Sequence, residues 1–260
     1  MMKAIALIVL LAWLLPAGAQ TLRLYTEEYP PVSFSQDGQP AGMSVELVQE
    51  LLRRLDQPAT LQVVPWARAY HLAQTTPHSA IFPTIRNNER EKHFKWVGPI
   101  MLASDNFYAL KGSGIVVTDA SQLARFKTIA LPRDWFTYQE LTAAGMDNLL
   151  GVTEPAQMFN LLKNGRVPLI AADNLSFYAG GQQADQVAQL GVDDVKIAFA
   201  YRQSFGYITF WAGTEDEVIQ RWQQALDEMK ADGSFSRIYQ RWLPGAQEPG
   251  LREPGQPLTP

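Results

Sequence analysis

Strand-like and helix-like segments alternate along this chain, stop at Lys111-Gly112-Ser113-Gly114, and then start again. Few folds tolerate that pattern. Leu22 to Thr26 alternates as a strand does, and the helical stretch to about Leu55 puts Leu47, Val48, Leu51, Leu52 and Leu55 on one face. Ser44 is placed to cap that helix. A strand at 61–64, a helix from Trp66 to Ala73, a strand at Ile81-Phe82 and another at 106–110 complete the first half. After the break come strands at 128–131, 149–153 and 168–172, with helices ending at Leu141 and spanning 155–163. Pro155 suits a first helical turn. Strands at 197–200 and 207–211 precede two helices, 215–231 and 235–242, separated by Asp232-Gly233. Such alternation predicts an α/β architecture of mostly parallel sheets, and the restart predicts two lobes. Ligands bind such sheets at the carboxyl ends of strands. Three loops rich in functional groups fall there: 26–31, 83–90 and 173–174.

Residues 1–19 have the form of an export signal. Lys3 supplies the positive start, Ile5 to Leu15 the apolar run, and Ala17-Gly18-Ala19 the cleavage site. That run is too short to span a bilayer. A mature chain is expected to begin at Gln20 in a bacterial periplasm. With 0 cysteines, its fold must rest on its core and not on disulfides. Losing Lys3 from 22 Lys+Arg leaves 21 against 26 Asp+Glu, a charge of −5. This balance argues against nucleic acid and against an anionic membrane surface as partner. From Pro244 the chain is rich in Pro, Gly and Gln, and disorder is expected over 244–260.

Several chemistries find no support. His71, His78 and His93 lack metal-ligand spacing, and no cysteine is available. There is no Gly-x-Ser-x-Gly elbow and no phosphate-cradling glycine loop. No cofactor is implied.

The stretch from Pro83 to Arg90 is the most informative. An apolar lead (Ala80, Ile81, Phe82) delivers Thr84, Arg86 and Arg90 into a turn. A guanidinium is a planar fork of donors that matches a carboxylate. The same pattern also fits a solvated turn in which the arginines pair with Glu89 and Glu91.

Five motifs in order carry a resemblance. They are Tyr29-Pro30-Pro31 through Phe34, Gly42-Met43-Ser44-Val45-Glu46-Leu47, and Glu89-Arg90 with Phe94. The others are Gly165-Arg166 leading to Asp173, and Ala225-Leu226 through Met229-Lys230-Ala231-Asp232-Gly233 to Ile238 and Trp242. Over about residues 21–243 the chain resembles the periplasmic solute-binding proteins of polar amino acid uptake systems, family 3 of the extracellular binding proteins. The resemblance implies a type II periplasmic-binding-protein clamshell, two α/β lobes joined by two crossover strands. Lobe one would hold residues 20–110 and 200–243, and lobe two residues 111–199. It implies binding of a small polar solute, an amino acid or related carboxylate, by a monomer that delivers it to an ABC transporter permease. Arg90 would grip the ligand carboxylate, Tyr29 would stack on the ligand and Asp173 would take its ammonium. Trp66 would form a second wall, and Thr84, Arg86 and Thr137 would complete the ligand set.

The chain departs from the family pattern at two places. Asn87-Asn88 precedes Glu89-Arg90, where a threonine is usual, and Pro132-Arg133-Asp134-Trp135-Phe136-Thr137 replaces a glycine-rich loop. The carboxylate site is therefore open to rebuilding, with Arg86 or Arg133 as extra cations. Two alternatives share the fold: a periplasmic dehydratase of cyclohexadienyl carboxylates, with Asp173 or Glu27 as acid, and a ligand-sensing accessory protein.

Overall fold

The computed structural model describes residues 21–178, 190 and 192–251; the export signal read over 1–19 and residues 252–260 lie outside the described residues. The first half runs β1 (Leu22–Thr26), β2 (Phe34–Gln36), β3 (Gln39–Ala41), α1 (Met43–Leu55), β4 (Ala59–Val63), α2 (Trp66–Thr75), β5 (Ser79–Ile85), α3 (Asn88–Glu91) and β6 (Phe94–Leu110). The second half runs β7 (Ile129–Pro132), α4 (Phe136–Ala143), β8 (Leu149–Val152), α5 (Pro155–Lys163), β9 (Leu169–Asp173), β10 (Val195–Trp211), α6 (Asp216–Ala231) and α7 (Ser234–Trp242).

Eight of these strands join in the order β4-β1-β5-β10-β6-β9-β7-β8. The β1 strand pairs in parallel with β4 and β5, and β7 pairs in parallel with β8 and β9. Between these two parallel units lie β6 and β10, antiparallel and 17 residues each. Each long strand leaves one core and enters the other. Met101 and Ala103 of β6 belong to the core with Leu24, Leu47 and Phe82, while Phe107 and Ala109 belong to the core with Ile129, Phe159 and Leu169. The result is a two-lobe α/β clamshell linked by β6 and β10.

The amphipathic reading of α1 holds: Leu47, Val48 and Leu51 are fully buried and Leu52 and Leu55 pack beside them. Burying each such leucine contributes about 1.5–3 kcal/mol. Its cap is different from the one expected. Gly42 is the N-cap, at φ 117°, and a Cβ there would lie 2.6 Å from the Val32 carbonyl oxygen. Ser44 sits inside the first turn, where its hydroxyl and its amide both donate to that carbonyl, each at 2.8 Å. These bonds tie the Tyr29-Pro30-Pro31 loop to the start of α1.

Three further expectations need correction. The separate short strands at 106–110, 197–200 and 207–211 are parts of β6 and β10, because the register shifts between Ile197 and Phe199, Ala200 and Arg202, and Gly206 and Ile208 disturb the ladder without ending it. Mostly parallel pairing holds only within each lobe. Residues 244–251 are not a loose tail: Ala246 is buried against the first core, and its carbonyl accepts from Gln240 at 3.0 Å. Lys230 likewise binds the carbonyl of Gly250 at 2.7 Å. Side chains of α6 and α7 thus satisfy a backbone that has little apolar surface of its own.

Candidate functional site

Strand ends from both lobes meet at one pocket of about 80 Å³. The segment after β1 brings Glu27 and Tyr29, α2 brings Trp66, and the segment after β5 brings Arg90. The loop from β7 into α4 brings Asp134, Trp135, Phe136 and Thr137, and Asp173 closes β9. Pro83, Ile85, Met101 and Ala103 provide apolar wall, and Asp105, Arg202 and Ser204 come from the crossover strands. Small-molecule sites usually run to about 300 Å³ or more. Here Tyr29 and Trp135 meet edge to face across the opening, centroids 5.9 Å apart, so the walls are drawn together.

Arg90 sits in a cage of rings. Its guanidinium lies 5.3 Å from the Trp66 centroid, 5.4 Å from Tyr70 and 5.5 Å from Phe136. Such faces attract a cation without neutralising it. Asn87 caps α3 by accepting from the Arg90 amide at 2.8 Å, which fixes the backbone that launches the side chain. The guanidinium donates to the Ile85 carbonyl at 3.0 Å, and among the described residues no carboxylate forms an ion pair with it. Burial holds it below the usual arginine range, yet arginine stays charged. Only 5% of Arg90 is exposed.

Asp173 faces it from the other lobe and is both cap and pocket wall. It accepts from the amides of Leu175 at 2.8 Å and Ser176 at 3.0 Å, and the Tyr29 hydroxyl donates to it. Burial, followed by the nearby charge of Asp105, pushes it up to about 6. Strand pairing explains that neighbour: Asp105 stands directly opposite Asp173 on β6. The same burial and the charge of Asp173 drive the Tyr29 phenol well above its ordinary range. Glu27 retains some surface at the mouth of the pocket. The protein packed around its carboxylate, and then the charge of Asp134, push it up to about 8 despite the opposing pull of Arg90.

Of the seven residues singled out in the sequence, Tyr29, Trp66, Arg90, Thr137 and Asp173 line this pocket. Thr84 and Arg86 lie elsewhere. Alternation along β5 sends Pro83 and Ile85 to the pocket and Thr84 to the opposite face, where its buried hydroxyl has no hydrogen-bond partner among the described residues. Arg86 pairs with Glu91 at 2.5 Å and 2.7 Å and lies over Trp96 and Tyr207. It lines a different groove, of about 1120 Å³, beside α6. The solvated-turn alternative thus describes Arg86 and not Arg90. Arg133 also points away, donating to the Gly151 carbonyl at 2.9 Å.

A model of the bacterial extracellular solute-binding proteins, family 3, matches residues 22–245. The chain belongs to that family. It is 22% identical over 203 residues to the L-cystine-binding protein TcyA of Bacillus subtilis (strain 168), covering 78% of this chain and 72% of that one. Among solved structures it resembles a histidine kinase sensor domain with similarity to periplasmic binding proteins, with a TM-score of 0.76, 19% identity, and coverage of 88% and 98%. It also resembles the P235GK mutant of ArgBP from T. maritima, with a TM-score of 0.71, 18% identity, and coverage of 86% and 95%. Among the described residues no helix is long and apolar enough to cross a membrane.

This solute-binding protein has a second arginine in its cleft that sequence reasoning missed. Arg202 on β10 binds Asp105 at 2.9 Å, Glu140 of α4 at 2.5 Å and the Thr137 hydroxyl at 3.3 Å. Its guanidinium also stacks 4.4 Å from the Phe136 centroid. Ser204 donates to the same Asp105 carboxylate. The available signal was weak: an acid and a base in strand sequence that mixes aromatic and polar residues, Asp105 two before Phe107 and Arg202 after Tyr201.

Proposed function

We propose that this family 3 protein binds an amino acid in the cleft, between the lobes at 20–110 plus 200–243 and at 111–199, and passes it to a membrane transporter. The observation that carries the reading is the pairing of Arg90 with Asp173 across one small pocket. Arg90 is a buried cation with no acidic partner among the described residues, and Asp173 is a buried acid without a basic one. An α-amino acid supplies the missing member of each pair. The carboxylate goes to Arg90, the ammonium to Asp173, and Tyr29, Trp66 and Trp135 cover the apolar part. Cystine binding by its relative TcyA supports an amino acid ligand. Thr137, held by Arg202, supplies a hydroxyl at the lobe-two wall. Residues 1–19 would direct the chain to the periplasm.

Binding without turnover is the simpler chemistry for this pocket, since Arg90 and Asp173 each complete a charge pair and neither has a proton to move in doing so. A thermal-shift screen of the purified protein against the standard amino acids, cystine and small carboxylates is the direct test. Stabilisation by at least one amino acid, lost on Arg90→Ala, is expected. No stabilisation by any amino acid would overturn the reading.

A further inference from the structure

We propose that the pocket selects amino acids whose side chain carries a second cation, and that Glu27, with Asp134 beside it, receives that group. The inference rests on the amino-acid reading above and narrows it. Four carboxylates (Glu27, Asp105, Asp134, Asp173) line the pocket against two guanidiniums (Arg90, Arg202), a formal deficit of two positive charges. A zwitterion does not change that sum. Its carboxylate meets Arg90 and its ammonium meets Asp173, so both surplus charges remain. Arg202 is already taken up by Asp105 and by Glu140, which lies outside the pocket lining. The uncompensated pair is therefore Glu27, from the loop after β1, and Asp134, from the loop after β7, which enter the pocket from opposite lobes. Among the described residues, neither side chain takes part in an ion pair or hydrogen bond.

In the ligand-free cleft the surplus is relieved in the way open to a carboxylate, by holding a proton. Glu27 is pushed up to about 8 by burial and by the acids around it, Asp134, Asp173 and Glu154, with Arg90 as the opposing charge. A ligand ammonium or guanidinium placed there does the same work as that proton and displaces it. Selection and proton release are then one event. Neutral side chains of equal length leave the proton in place and gain nothing from the two acids.

The test compares L-lysine with L-norleucine, and L-arginine with L-citrulline, by titration calorimetry at pH 7 in buffers of different ionisation enthalpy. The expected result is at least tenfold tighter binding of each cationic member. Proton release close to one per site is expected for the cationic ligands, and none for their neutral partners. In Glu27→Gln the lysine-to-norleucine ratio should fall to within about threefold and the proton release should vanish. Asp134→Asn should lower the same ratio in part. Equal affinity within both pairs, or a preference that Glu27→Gln leaves intact, would overturn this inference and spare the amino-acid reading. If none of the four ligands binds while another neutral amino acid does, the inference also falls alone. Failure of every amino acid to bind removes both.

Discussion

Arg90 and Arg202 lie on the same pocket and are held by opposite means. Trp66 and Tyr70 of lobe one cage Arg90 together with Phe136, which reaches across from lobe two and also stacks on Arg202, and Ile85 gives it a backbone carbonyl. The crossover region surrounds Arg202 with Asp105, Glu140 and the Thr137 hydroxyl. Rings and a carbonyl keep a guanidinium in place while leaving its charge unspent. Two carboxylates cancel it. The first arrangement suits capture of an anion, and the second suits holding strands and helix together. Residue type does not separate these cases; the neighbours do.

The contrast is sharpest in ligand affinity. Arg90→Ala should weaken amino acid binding by about ten- to a hundredfold, the size of a buried charge-assisted hydrogen bond of roughly 1.5–3 kcal/mol. Arg202→Met should change affinity by less than about threefold. Equal losses in the two variants, measured by calorimetry, would mean that the two arginines do not differ in their part in binding.

Stability should show the reverse order. Arg202→Met strips Asp105 of its cation beside Asp173, and a loss of about 2–3 kcal/mol is expected, or roughly 4–9 °C in Tm. Arg90→Ala removes a charge that forms no ion pair among the described residues and should move Tm by less than half as much. Scanning calorimetry of ligand-free protein reads both.

Asp173 belongs partly to each kind of site, since it caps a turn and faces the cleft. Asparagine can still cap, so Asp173→Asn should remain folded. It should bind an α-amino acid about tenfold more weakly, while binding the matching α-hydroxy acid as well as the wild type does. An equal loss for both ligands would make Asp173 a cap alone.

The smallest expected effect concerns pH. The folded state holds the Glu27 proton up to about 8, against an ordinary 4.5, so it binds more protons than the unfolded chain between those values. Stability attached to this group is therefore complete below about 4.5 and is lost as pH rises through 8. Because Glu27 is part-exposed, solvent screening reduces the effect to a fraction of the full shift, and Glu27→Gln should escape the loss with a gain of roughly 2–4 °C in Tm at pH 9 and almost none at pH 4.5. A pH-independent difference between the proteins would mean that Glu27 is not desolvated.

Much of this was legible in the sequence, and the limits have physical causes. Hydrophobic period and turn residues marked both lobes, because each strand and helix must bury a face. The loops that hold Tyr29, Arg90 and Asp173 announce themselves at strand ends with Pro, Asn and Asp, and the family resemblance singled out these three within them. Thr84 and Arg86 were placed in the same group by proximity along the chain, but one residue of strand turns a side chain to the opposite face. Asp105, Arg202 and Ser204 lie in the middle of long strands, where no turn signal exists. Their partnership depends on register between segments almost a hundred residues apart. Packing of 244–251 was equally hidden, since Lys230 and Gln240 hold its backbone and not its side chains.

The two long strands have one more consequence. Leu110 and Val195, where the chain leaves β6 and enters β10, are paired neighbours in the ladder. Along the chain, residues 111–194 are a single large insertion whose two ends adjoin. Closing a short turn across the same two positions costs little chain entropy. Residues 111–194 are thus an insertion in the chain path: they can be exchanged without re-threading the rest, provided the replacement again covers Phe107, Ala109 and Ala198 and pairs with β6 as β9 does.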